Sequence, residues 1–122
     1  MTDAAAVNLD AAFARITEPW TPRIAAELNG QHVKLAVFNG RFVWHHHDDA
    51  DEMFFVARGM VLMHLRDRTV TINAGEFFVV PRGVEHCPEA PEDAWVMLFE
   101  PAGTRNTGNA GGALTVTDPE PL

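Results

Sequence analysis

Between residues 24 and 99 the sequence is divided into short segments of alternating apolar and polar residues, separated by turn residues. Alternation is typical of a half-buried strand, because successive side chains of a strand point to opposite faces. The Asn-Gly pairs at 29–30 and 39–40 each predict a tight hairpin, since both central positions of that turn need positive φ. Many short strands with almost no helix predict an all-β barrel or sandwich.

The predicted strands are separated by Gly, Asn, Asp and Pro, and a loop is expected at residues 89–93. We expect strands at 24–28, 33–37, 42–47, 53–56, 59–65, 69–72, 77–80 and 94–99.

The N-terminal segment has a different pattern. Leu9, Phe13 and Ile16 lie at helical spacing and predict a short helix of about two turns. The prolines that follow it impose extended backbone around Trp20, which we interpret as a plug over the end of the core.

We therefore divide the chain into an N-terminal arm with a short helix (1–22), a barrel (23–101) and a C-terminal tail (102–122). The tail is rich in Gly, Thr, Asn and Pro, and is either a covering arm or disordered.

Length and charge limit the classes of function. The 122 residues are enough for one domain, and the formal net charge of −8 disfavours nucleic acid and anionic membranes as partners. No apolar run approaches the roughly 20 residues of a membrane span, and the N-terminus lacks the pattern of a signal peptide. Cys87 is the only cysteine, so no intrachain disulfide can form. We expect a cytoplasmic protein.

Histidines and a carboxylate are concentrated after residue 44. If residues 42–47 form a strand, His45 and His47 share one face and His46 points to the other. Two imidazoles on one face can chelate a divalent metal, and Glu52 and His86 could complete the ligand set from neighbouring strands. Four protein ligands on a six-coordinate ion would leave positions open for water, oxygen or a substrate.

These residues resemble the two motifs of the cupin superfamily. The first pattern here is His45-His46-His47, four residues, Glu52, six residues and Gly59. The second is Gly75, five residues, Pro81-Arg82-Gly83, two residues and His86. The chain departs from the family pattern in having four rather than five residues between Gly40 and His45, and Ala90 where Asn is common.

The resemblance is to small single-domain cupins and implies several expectations. The fold would be a double-stranded β-helix, also called a jelly roll, and the protein a homodimer. One divalent ion (Mn, Fe, Ni, Zn or Cu) would be bound by His45, His47, Glu52 and His86. Cupins with this ligand set include dioxygenases, isomerases, lyases and decarboxylases, which act on small molecules.

Four further residues are candidates for the substrate pocket. Phe54 and Val56 share the face of Glu52 and could form its dry wall. Arg41 has the parity of His45, although an exposed strand-end arginine is the simpler interpretation. His64 would line the pocket only if its face is inward.

Three hypotheses about function stay open at this point. The first is a metal-dependent enzyme acting on a small organic substrate, which we slightly favour. The second is a binding or sensing module that holds a metal and a ligand without chemistry. The third is a barrel in which the ion only stabilises the fold.

Overall fold

Antiparallel strands and one short helix make up most of residues 5–122, the part of the chain that the computed structural model describes. The elements are α1 (Leu9–Phe13), β1 (Arg23–Leu28), β2 (Gln31–Arg41), β3 (Glu52–Arg58), β4 (Met60–Leu65), β5 (Thr69–Asn73), β6 (Phe77–Val80) and β7 (His86–Pro101). All pairings between these strands are antiparallel, as in the predicted all-β class.

The long strand β7 joins the two halves of the sheet. Its first residues, 86–89, pair with β4, whereas its later residues pair with β2 on one side and β3 on the other. The resulting order is β1-β2-β7-β3-β6, with β5 added outside β4. Strand β6 pairs only with β3 among the described strands, so it is an edge strand.

The main core lies on the inner face of the curved sheet. Alternate residues of β2, β3 and β7 point into it, because strand side chains alternate between faces. Its buried members from these strands are Ala36, Phe38, Phe54, Val56, Ala90, Ala94, Val96 and Leu98.

A second, smaller core lies on the outer face, beneath α1. Phe13 and Ile16 pack there against Leu35 and Val37 of β2, and the Phe13 ring stacks on Trp95 at a centroid distance of 5.0 Å. Both faces of β2 are therefore buried, one by the barrel interior and the other by the helix.

The helix is shorter than predicted. It has five residues, with the Asn8 side chain accepting a hydrogen bond from Ala11 at its start. The next bonds, from Arg15 to Ala12 and from Ile16 to Phe13, span three residues instead of four, so the chain tightens before the following proline.

The predicted turn at residues 39–40 and strand at 42–47 are wrong. Strand β2 continues to Arg41, and Gly40 uses its φ of +77° where the pairing with β7 is irregular. The positive φ of Gly40 thus forms a bulge within one strand instead of the turn of a hairpin. Between β2 and β3, His45 makes only an isolated bridge, to His86.

The predicted loop at residues 89–93 is also wrong, because β7 runs through it. Residues 91–93 lie opposite the irregularity in β2 and are exposed. The composition of this stretch, Pro-Glu-Asp, reflects contact with water and not an interruption of the strand.

The C-terminal tail is a covering arm. Thr107 is completely buried, and at the end of the chain Leu122 donates a backbone hydrogen bond to Ile24 of β1. Within residues 5–122, no helix has the length and apolar character needed to cross a membrane.

Replacing Phe13 with alanine should lower the free energy of unfolding by about 3 kcal/mol, the usual cost of truncating a buried phenylalanine. Val7→Ala, just before the same helix but exposed, should change it by less than about 0.5 kcal/mol. Urea denaturation of both variants measures the difference. Equal effects would contradict the packing of α1 on the sheet.

Candidate metal centre

Four buried side chains converge at one end of the barrel. His45 and His47 lie in the segment between β2 and β3, Glu52 begins β3 and His86 begins β7. One ligand atom from each lies within 4.8 Å of the others, so the structure brings together the four residues predicted from the sequence. His46 points away, as predicted, and its Nε2 lies 2.9 Å from Asp48.

Backbone hydrogen bonds tie the two sequence motifs together. The amide of His45 donates to the carbonyl of His86 at 3.0 Å, and the amide of His86 donates back at 2.9 Å. The carbonyl of His47 accepts from Gly83 of the second motif at 2.7 Å. Residues 45–47, the ligand segment, are therefore held by hydrogen bonds to a distant part of the same chain, although they do not form a regular strand.

Backbone carbonyls set the tautomers of two histidines. Nδ1 of His45 lies 2.9 Å from the carbonyl of Val43, and Nδ1 of His86 lies 2.9 Å from that of Val84. A carbonyl only accepts hydrogen bonds, so each Nδ1 must carry the proton. Each Nε2 is then left with a free lone pair, which is the form that binds a metal.

A buried nitrogen without a partner supports metal binding. Nε2 of His86 is buried and makes no hydrogen bond, lying 3.4 Å from the nearer oxygen of Glu52. The same oxygen, Oε1, lies 3.1 Å from Nε2 of His47. Because buried polar atoms are nearly always satisfied, this cluster fits an ion that would take up the free lone pairs.

The electrostatics keep His45 neutral. Burial, followed by the neighbouring His86 ring, lowers the pKa of His45 to about 4. Since metal binding requires a neutral imidazole, His45 needs no deprotonation at neutral pH.

A second carboxyl group adjoins the cluster. Burial alone would raise the pKa of Glu52, but the neighbouring Glu100, His47 and His86 outweigh it and hold that pKa well below its usual range. Burial and then the Glu52 carboxylate raise the pKa of Glu100 well above its usual range, against the opposing effect of Lys34. Of the two neighbouring carboxyl groups, Glu52 therefore ionises more readily than usual and Glu100 less readily.

Lys34 supports Glu100 from behind. Its Nζ donates to Oε1 of Glu100 at 3.0 Å and to the carbonyl of Thr104 at 3.1 Å, and both charged side chains are buried. These bonds give the buried Lys34 ammonium group two acceptors, without which its burial would be strongly destabilising.

The donor set can hold a divalent metal ion. Three neutral imidazoles and one carboxylate suit several first-row transition metals, and geometry and availability decide among them. The residues present therefore fit a metal cofactor without identifying it.

An apolar cavity adjoins His45 and Glu52. Its volume, measured as the space open to the centre of a water molecule, is about 30 Å³. This is room for roughly two waters. The lining is mainly aromatic or aliphatic, with Glu100 and Asn106 as its other polar members. The apolar side chains are Trp20, Pro22, Ala36, Phe38, Phe42, Phe54, Pro88 and Leu98.

Trp20 closes one side of this cavity, close to its predicted role as a plug. Its ring stacks on Phe38 and Phe42 at centroid distances of 4.4 and 4.5 Å, and its Nε1 donates to the carbonyl of Asn39 at 2.9 Å. The φ of Trp20 is +61°, a strained conformation for a bulky residue. The stacking and hydrogen bonds hold it there.

The structure separates the four candidate pocket residues. Phe54 lines the cavity, whereas Val56, on the same face, is buried deeper in the core. Arg41 does not line the cavity: it is exposed at the end of β2, as in the simpler interpretation, and alternation does not carry over to His45 because the strand ends between them.

His64 does not line the cavity either. Its neighbour Met63 is buried in the core, so alternation turns His64 outward. There it bonds Thr69 through Nδ1 at 2.9 Å and Glu89 through Nε2 at 2.8 Å.

Sequence reasoning missed Glu100 and Asn106. Glu100 follows Val96 and Leu98 at a spacing of two, so alternation could have placed it inward. Asn106 gave no such signal, because the path of an irregular tail does not follow from residue spacing.

Comparison with known proteins identifies the family. The cupin domain family matches residues 31–100, more than half of the chain. The protein therefore belongs to the cupin family, which confirms the resemblance and the barrel fold that it implied.

Two solved structures are similar over most of their length. A cupin-2 domain protein from Shewanella frigidimarina is 42% identical with a TM-score of 0.77, covering 78% of this chain and 93% of that one. Protein NMB1881 from Neisseria meningitidis is 30% identical with a TM-score of 0.73, covering 80% and 100%. Among curated proteins, the uncharacterised YdbB of Bacillus subtilis is 40% identical over 62 residues, 50% of this chain. The chain matches 55% of the length of YdbB.

Acidification should destabilise the metal-free protein partly through His45. Its pKa is lower in the folded state (about 4) than in the unfolded state (6.5), so the unfolded state binds more protons as pH falls through this interval. The stability that neutral His45 contributes is thus present above pH 6.5 and is lost as the pH falls toward about 4.

Between pH 7 and pH 4.5, the wild type should lose about 2 kcal/mol more unfolding free energy than His45→Gln. Urea denaturation of metal-free protein at both pH values provides the measurement. Parallel losses in the two proteins would contradict the lowered pKa.

Proposed function

We propose that this cupin is a metal-dependent enzyme that acts on a small organic substrate by dioxygenase-, isomerase- or lyase-type chemistry. The observation that carries the proposal is the buried His45, His47, Glu52 and His86 cluster beside an apolar cavity. Four ligands leave room in the coordination sphere of a six-coordinate ion, and the cavity lies where a substrate could approach it.

A bound divalent ion would supply Lewis-acid or oxygen chemistry at this position. The chain's own groups would bind and orient the substrate. Trp20, Phe42 and Phe54 provide apolar surface that excludes water, while the raised pKa of Glu100 favours its protonated form next to Glu52. Exclusion of water strengthens every polar interaction within such a site.

The apolar lining and the room for only about two waters favour a small apolar group as the part of the substrate that approaches the ion. The described lining of the cavity contains no lysine or arginine, and the nearby Lys34 is engaged with Glu100 and Thr104. A phosphorylated substrate normally requires such a cation. We therefore place enolisable dicarbonyl and phenolic compounds ahead of sugar phosphates.

A non-catalytic binding or sensing module is the second candidate. Among residues 5–122, Glu100 is the only titratable residue lining the cavity apart from the proposed metal ligands, so few groups are available for acid–base chemistry. Ligand binding without turnover would need nothing more.

We also propose that the protein is a homodimer, with β6 at its interface. On this edge strand Phe77 and Val79 share one face, and their exposed fractions are 64% and 45%. They lie opposite Phe55 and Met53 of β3, which extend the apolar surface. An exposed apolar edge strand tends to associate with another chain, so we expect a second copy of this chain to cover β6.

Removal of a proposed ligand should abolish tight metal binding. His86→Ala should weaken the affinity for Zn²⁺ by on the order of 100-fold or more, because a ligand and the nitrogen fixed by Val84 are lost together. His64→Ala, its matched control outside the cluster, should leave the affinity unchanged. Isothermal titration of metal-free protein measures both, and a similar affinity for wild type and His86→Ala would contradict the site.

Turnover distinguishes the functional hypotheses. Wild-type protein loaded with Mn, Fe, Ni, Zn or Cu should form product from a dicarbonyl or phenolic panel, and His86→Ala should not. Thermal stabilisation by a compound without product would favour the binding module. A large loss of melting temperature on metal removal, with no azide access to the bound ion, would favour a purely structural ion.

The dimer is tested by changing its proposed interface. Sedimentation should show a dimer for the wild type and a monomer for Phe77→Lys, because a charge would be buried in an apolar contact. Leu28→Lys, on the distant strand β1 and also exposed, should remain dimeric. A monomeric wild type would refute the proposal.

A further inference from the structure

We infer that Gly108 and Asn109, in the C-terminal tail, are positioning residues of the metal centre. They hold His46 in place, and through it the flanking ligands His45 and His47. The inference rests on the proposed metal-binding function of this cluster. It extends the site from the barrel to a segment outside the matched cupin domain.

Asn109 satisfies both backbone polar groups of His46. The His46 amide donates to Oδ1 of Asn109 at 2.8 Å, and the Asn109 amide donates to the His46 carbonyl at 3.2 Å. His46 belongs to no strand, so these contacts replace the ladder bonds that a neighbouring strand would provide.

The three consecutive histidines are consequently fixed by three different parts of the chain. His45 pairs with His86 at the start of β7, His47 accepts a bond from Gly83, and His46 is held by the tail. The tail contact lies between the two ligands. A shift of His46 would move both neighbouring imidazoles relative to Glu52.

Gly108 allows the tail to approach this closely. A Cβ atom added there would lie 2.2 Å from the carbonyl oxygen of His46 and 3.2 Å from Cδ2 of the His45 ring. The first distance is impossible without movement of backbone, and the second concerns a proposed metal ligand. Gly108 is therefore required by contact with the ligand segment, beyond the constraint of its φ of +52°.

The tail turn has its own supports and can act as a firm surface. The Arg105 side chain donates to the carbonyl of Gly108 at 2.8 Å, and the Gly108 amide donates to the Arg105 carbonyl at 2.9 Å. Next to it, Thr107 is fully buried and its hydroxyl hydrogen-bonds that of Thr115 at 2.5 Å. These contacts fix the turn independently of His46.

The first experiment compares two glycines with different surroundings. Gly108→Ala should weaken Co²⁺ binding to metal-free protein by about 10- to 100-fold, the usual effect of disturbing groups that orient metal ligands. It should also alter the visible spectrum of bound Co²⁺. Gly111→Ala is the matched control, because Gly111 also has positive φ but nothing lies within 4 Å of an added Cβ. Its affinity and spectrum should match the wild type.

The second experiment removes and restores the side-chain acceptor. Asn109→Leu loses the oxygen that binds the His46 amide, and should weaken Co²⁺ binding and alter the Cu²⁺ electron paramagnetic resonance spectrum. Asn109→Asp keeps an acceptor oxygen at this position and should return both toward wild-type values. This rescue would not follow from a general loss of stability.

The outcomes distinguish a failure of the positioning role from a failure of the proposed metal centre. If the wild type binds Co²⁺ and both Gly108→Ala and Asn109→Leu bind it equally well with unchanged spectra, the positioning role is wrong. If the wild type binds neither Co²⁺ nor Cu²⁺, the metal centre itself is refuted and the inference falls with it. Should Gly108→Ala fail to fold, the two Asn109 variants decide.

Discussion

The reciprocal hydrogen bonds between His45 and His86 are the contact on which the centre depends. They join a segment that follows β2 to the first residue of β7, and they bring two sequence motifs about 40 residues apart into one site. Each of these histidines also uses Nδ1 to bind a carbonyl two residues before it. Backbone contacts and ring orientation are thus set together, and both imidazoles reach the cluster with their other nitrogen free.

The interior of the barrel combines two environments that proteins usually keep apart. Aromatic side chains form a dry wall, while Lys34, Glu100 and Glu52 place charged or protonated groups directly beside it. Burial makes each isolated charge costly, so these groups are stable only as a connected set. The same low polarity keeps His45 neutral. Stability and readiness to bind a metal therefore have one physical origin.

Much of this arrangement could be predicted from sequence. Alternation predicted most of the strands, because it depends on local geometry. The spacing of the two motifs predicted that His45, His47, Glu52 and His86 lie together, although the strand expected at 42–47 does not form. The prediction failed where the same residue type serves two geometries. The sequence around Gly40 is typical of a hairpin turn, but Gly40 forms a bulge. Residues 91–93 have a composition typical of a loop, but they lie in β7. The candidate pocket role of Arg41 failed because alternation was extended beyond the end of a strand, whereas the simpler interpretation of an exposed strand end holds. The role of Asn109 could not be predicted, since it depends on how an irregular tail crosses the surface.

The position of β7 in the chain has a consequence for synthesis. This strand is the partner of β2, β3 and β4, yet it begins only at His86. During synthesis on the ribosome, three of the four cluster residues (His45, His47 and Glu52) emerge long before the fourth, His86, and the sheet around them has no central strand. Contacts so distant in sequence also slow folding. The set of proposed metal ligands is thus incomplete until synthesis enters the last third of the chain.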